Sequence, residues 1–151
     1  MFLVQSIMKH LMWLLLGLAV PVFAQTAATN HYETLKQSRW FALAGGIGNV
    51  TTQEGHAMAA ICGQTNAGAT FQRLLQEKGE AQQLYGLLGL HALNAPEFKV
   101  ALPSFLDSKA NVPVLIGCIA GERPVAEIAR QIRDKQWIVP TAEAGVKLRA
   151  D

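Results

Sequence analysis

The sequence lacks the short patterns that carry chemistry. It has no C-x-x-C pair, no H-E-x-x-H, no G-x-S-x-G and no G-x-x-x-x-G-K-[ST]. The motifs of a thiolate metal or redox site, a helical zinc protease site, an α/β-hydrolase nucleophile and a phosphate loop are thus all missing. It also lacks a polybasic run, and its formal net charge is only +2. That balance gives no footprint for nucleic acid and none for anionic lipid. Nothing in these patterns asks for a cofactor or a metal.

What is present begins with an export signal. Lys9 and His10 precede the apolar run Leu11–Ala24, and Val22-Phe23-Ala24 closes it with a small residue before Gln25. A charged start, an apolar stretch and a small-residue end predict a cleavable signal peptide over residues 1–24. The run is shorter than the ~20 residues that a membrane span needs, so no stable insertion is expected once it is cut. Met8 makes a tidier start than Met1. The expected location is the periplasm or the outside of a bacterial cell. Residues 25–31 read as a flexible polar lead-in, residues 32–139 as a single domain, and residues 140–151 as a tail in which Ala142–Leu148 has the makings of a short helix. In an exported chain the two cysteines, Cys62 and Cys118, predict a disulfide. Closing so long a loop is worth about 4 kcal/mol in the chain-entropy account.

The domain is expected to be organised around Glu80–Asn94. Leu84, Tyr85, Leu87, Leu88 and Leu93 give this stretch a broad apolar face at helical spacing. Gly86 and Gly89 each cost about 1 kcal/mol against alanine in a helix, so a neighbour should approach that bare backbone. Before it, Thr51-Thr-Gln-Glu54 has the form of a capping box opening a helix to Cys62, with Gly63 as its stop. A second helix carries Phe71, Leu74 and Leu75 and is expected to end at Gly79. After it, Pro96 opens a helix that Pro103 should kink or split. Val112–Ile119 is apolar and β-branched, and periodicity leaves it as either a strand or a buried helix. Tyr32–Leu43 is equally open. Pro124 opens a last helix, with Val125, Ile128, Ala129 and Ile132 inward. The fold class is mainly α: a compact bundle of four to five antiparallel helices in helical-repeat-like hairpins, with at most a minor extended segment.

The run Leu84-Tyr-Gly-Leu-Leu-Gly-Leu90, followed by Ile116-Gly-Cys-Ile119, resembles a pattern in uncharacterised exported bacterial proteins. The order of parts is similar over Phe41–Ile132. The resemblance implies an all-helical, repeat-like core and no activity.

Candidate sites are few. Gly45-Gly-Ile-Gly48 reads as a structural turn, with free amides at the following helix start as a lesser anion site. His31, His56 and His91 share no ligand spacing. Ser104 and Ser108 have no nucleophile context. Glu54, Glu77, Glu80, Glu97 and Glu127 suit caps and solvated faces, although a carboxylate pair can be spatial without being sequential. Trp40 and Phe41 are the candidates for anchoring a partner, with core packing as the alternative. The expected function is a protein-binding module of the cell envelope, of inhibitor or immunity type. The alternatives are a small envelope hydrolase or ligand carrier, and a structural or stress-related helper. An enzyme is not the leading reading.

Overall fold

The computed structural model describes residues 31–140. The expected signal peptide, the expected lead-in to Asn30 and the tail from Thr141 lie outside the described residues. Within them the chain is rich in helix, with six helices and two antiparallel ribbons. Residues 31–37 form α1. Then come β1 (Ala44–Gly45), β2 (Val50–Thr51), α2 (Gln53–Cys62), α3 (Ala67–Leu75), α4 (Glu80–Ala92), α5 (Pro96–Leu106), β3 (Asn111–Ile116), β4 (Ile119–Pro124) and α6 (Val125–Arg133).

The central helix is α4, and every residue from Leu84 to Leu90 is buried. Its two glycines form a seam against α3. A Cβ at Gly89 would lie 2.2 Å from the Phe71 ring, and one at Gly86 would lie 2.7 Å from the Phe71 carbonyl oxygen. The helices approach where the backbone is bare, which offsets the poor helix propensity of glycine. The last helix, α6, buries Val125, Ile128, Ala129 and Ile132 as its period requires.

Local signals shifted by a residue or two in places. Thr52, not Thr51, is the N-cap of α2, and its Oγ1 accepts from Gly55 N–H. Glu54 is thereby freed for another partner. Helix α3 stops at Leu75 with Gln76 as its cap, and Gly79 instead caps the start of α4 in an extended conformation. Helix α5 runs through Pro103 unbroken. Tyr32–Leu43 is both things the sequence allowed, a helix to residue 37 and then an extended strip.

Val112–Ile119 is a strand and a turn. β3 pairs with β4 from Asn111↔Pro124 to Ile116↔Ile119. Gly117, at φ +58, takes the first central position of the two-residue turn, where a II′ turn needs glycine. β1 pairs antiparallel with β2. Parallel bridges at Phe41↔Val114 and Gly45↔Gly117 tie the two ribbons side by side. Phe41 N–H donates to Pro113 C=O at 2.8 Å, and Leu115 N–H donates to Phe41 C=O at 3.3 Å. Pro113 can sit inside β3 because this neighbour uses only its carbonyl.

The disulfide expectation is corrected. Both cysteines are free and not close to one another. Cys62 is the last residue of α2, half-buried against the core, while Cys118 is exposed in the β3–β4 turn. A bridge needs Cα atoms within about 7 Å, and an even count in an exported chain says nothing about that distance.

Candidate functional site: the apolar end of the ribbon

The Gly45–Gly48 segment joins β1 to β2 as a turn. Gly45 is fixed by packing, since a Cβ there would lie 2.5 Å from the Leu115 side chain. Gly46 N–H donates to Gly117 C=O at 2.8 Å, so the turn after β1 and the turn after β3 lie side by side. Four large apolar residues flank these adjoining tips. Ile47 is 94% exposed, Ile119 74%, Val50 66% and Ile116 39%. Short turns with two ribbons behind them hold these side chains out on a supported edge. Scattered apolar exposure is ordinary, but a cluster on neighbouring tips is a feature of interaction surfaces.

Behind the ribbons lies a polar strap. Ser38 Oγ donates to Glu54 Oε1 at 2.9 Å. Tyr85 Oη donates to Trp40 C=O at 2.8 Å and accepts from Ala42 N–H at 2.9 Å. Gln82 Nε2 donates to Ser38 C=O at 2.7 Å and to Lys36 C=O at 3.0 Å. These bonds satisfy the extended strip 38–42 and tie it to α4 and α2. Burial pushes the Tyr85 hydroxyl up, well above its ordinary titration range. It is therefore a fixed donor and acceptor and not a titrating group.

Phe41 is fully buried against Tyr85 and Trp137, at ring distances of 5.0 and 4.7 Å. It packs in the core and offers no surface to a partner. Trp40 is 44% exposed and keeps its place as a candidate contact. It lies at the opposite end of the 41–45 strip from the tips.

The other sequence candidates do not converge. His56 is exposed on α2, and His91 stacks on the Phe98 ring at 4.5 Å. Among the described residues no three His, Cys, Asp or Glu side chains gather as a metal site. Glu77 accepts from Tyr32 and pairs with Lys36, Glu97 accepts from Gln72, and Glu127 pairs with Arg123. Ser104 and Ser108 bond to nearby backbone. Burial pushes the Cys62 thiol up to about 11, which keeps it protonated and unreactive at neutral pH. No helix among the described residues is long and apolar enough to cross a membrane.

Sequence reasoning did not find the tip cluster or the Ser38–Glu54 bond. The first carried a signal: Ile116-Gly-Cys-Ile119 is two β-branched ends around a two-residue glycine turn, a hairpin signature. The second carried none, because Ser38 and Glu54 meet only through the tertiary path of strip and helix. No protein-family model, no curated protein and no solved structure matches this chain.

Proposed function

We propose that this is an exported binding module of the cell envelope. It docks a protein partner on the apolar end of the ribbon, and an inhibitor or immunity role toward an envelope enzyme is the class that suits its size and signal. The observation that carries the reading is the exposure of Ile47, Val50 and Ile119 on two adjoining turns. An exported chain with these groups in water gains from covering them, at about 25 cal/mol per Å² of apolar surface removed from solvent. The partner is thus a protein with an apolar recess, and strand tips supply the rigid projection that enters it. The helical hairpins act as the scaffold, with α3 and α4 in close approach at the Gly86–Gly89 seam. A hydrolase or ligand carrier would need a cleft of converging polar groups. The groove beside Gly121 has Arg123 as its one charged lining residue, and that side chain is held by Glu127.

The test is a tagged capture from the native periplasmic fraction with the wild type and an Ile47→Asp plus Ile119→Asp variant. Both positions are exposed, so the variant should melt at the wild-type temperature. A stoichiometric protein captured by the wild type and lost by the variant is expected. Equal capture by both would remove the tips from the interaction.

A further inference from the structure

Among the described residues no strand lies beside the outer edge of β4, because its one strand neighbour is β3. The register fixes which backbone groups that edge presents. Pro113 C=O and Leu115 N–H are spent on Phe41, so alternation turns the groups of Val112, Val114 and Ile116 toward β4. Those three pair with Arg123, Gly121 and Ile119. The N–H and C=O groups of Ala120 and Glu122 therefore point outward, while Pro124 has no N–H to offer. All six residues of β4 are exposed. Such an edge is a template for another strand.

The strand whose outward groups match is β4 of a second copy, run antiparallel. Centring Ala120 on the copy's Ala120 would set Glu122 against the copy's Cys118, which lies in the β3–β4 turn. Centring Glu122 on the copy's Glu122 would place like charges directly opposite and would spend Ala120 on Pro124, which has no N–H. Centring Gly121 on the copy's Gly121 has neither fault. It sets Ala120 opposite the copy's Glu122 and Glu122 opposite the copy's Ala120. Both are hydrogen-bonded pairs, so every outward N–H of these residues meets a carbonyl. The middle position has room for the approach. A Cβ at Gly121 would meet nothing within 4 Å, and a hollow of about 90 Å³ opens there, lined by Val114, Ile116, Ile119, Gly121 and Arg123. In this register Ile119, 74% exposed, lies opposite the copy's Arg123, whose aliphatic stem can cover it. We propose that two copies of this chain pair β4 to β4 about a two-fold axis at Gly121, forming one continuous sheet in the order β3–β4–β4–β3. So short an edge contact falls below the ~1,200 Å² of standard interfaces, so the dimer forms and dissociates readily. The proposal does not rest on the partner-binding reading.

Analytical ultracentrifugation of the protein purified from its native host tests it, over micromolar to millimolar concentrations. A monomer–dimer equilibrium is expected. Glu122→Pro removes one outward N–H from each copy and spares the β3–β4 bonds, as Pro113 does directly across the ribbon. It should weaken the dimer about tenfold and leave the melting temperature of the dilute protein unchanged. In a Cys118→Ser background, Gly121→Cys should give a covalent dimer on mild oxidation. Its two Cα atoms would face each other at about 4.5 Å in a non-hydrogen-bonded pair, within the reach of a disulfide. Ala120→Cys in the same background should not, since the register sets its two copies diagonally, about 7–8 Å apart. A monomer at every concentration would overturn the proposal. So would a dimer that Glu122→Pro leaves intact, or equal cross-linking from positions 120 and 121. If Glu122→Pro melts lower than the wild type, the two cysteine variants decide by themselves.

Discussion

Replacing Gly89 by alanine sets two effects against each other. Helix propensity favours the change by about 1 kcal/mol. Packing opposes it, because the new Cβ would lie 2.2 to 2.4 Å from three atoms of the Phe71 ring. Carbon atoms in contact prefer about 3.5–4.0 Å, so the ring must retreat by more than an ångström inside a filled core. Phe71 is fully buried, and overpacking of this kind costs about 1–3 kcal/mol, occasionally more. We place the clash at the upper end and expect a net loss of about 1–2 kcal/mol, or roughly 5–10 °C in melting temperature for a domain of this size. Urea unfolding in a double-mutant cycle separates the causes. Phe71→Leu should relieve Gly89→Ala, giving a favourable coupling of about 1 kcal/mol. It should not relieve Gly86→Ala, whose nearest neighbours are the Phe71 carbonyl oxygen and the Leu75 nitrogen. That pair should add within about 0.5 kcal/mol. A Gly89→Ala protein that melts higher than wild type would refute the seam as described.

Three further outcomes follow from the same geometry. Tyr85→Phe removes a hydroxyl that accepts from Ala42 N–H and donates to Trp40 C=O, and the orphaned buried groups should cost about 1–3 kcal/mol in urea unfolding. His91 is held below its ordinary pKa of 6.5 by burial and by Lys135. A depressed folded value means its contribution is complete above the unfolded pKa and is lost as pH falls through the folded one; His91→Gln should flatten the slope of stability below about pH 6.5. Titration with a thiol reagent should find Cys118 fast and Cys62 slow in the native protein, and both fast after unfolding. Two unreactive cysteines in the unfolded, unreduced chain would restore the disulfide.

Much of the helical framework was legible because its signals are local. The Leu84–Leu90 run, the inward face of α6 and the strain implied by Gly86 and Gly89 can each be seen within a few turns of one helix. The misreadings came where one residue has two uses. Gly79 stops a helix or starts one, and only the extended backbone there decides. Thr51 and Thr52 both fit a cap, and the difference released Glu54 to Ser38. The ribbons were the least legible element. The 41–45 strip pairs locally with β2 at Ala44–Gly45, but its other neighbours, Val114 and Gly117, lie about seventy residues away in sequence. Phe41 and Trp40, adjacent in the chain, fall on opposite sides of the burial boundary for the same reason. The cysteines show the limit of counting, since parity suggested a bridge that the positions of α2 and the β3–β4 turn do not permit.

Contact between the ribbon tips and a partner in the cell envelope is open to a direct test by a photo-crosslinking amino acid placed at Ile47 in the native organism, with Val100 as the control. Val100 is 82% exposed and lies on α5, away from the turns. One discrete adduct is expected from position 47 and none from position 100; adducts from both positions, or from neither, would rule out docking at the tips.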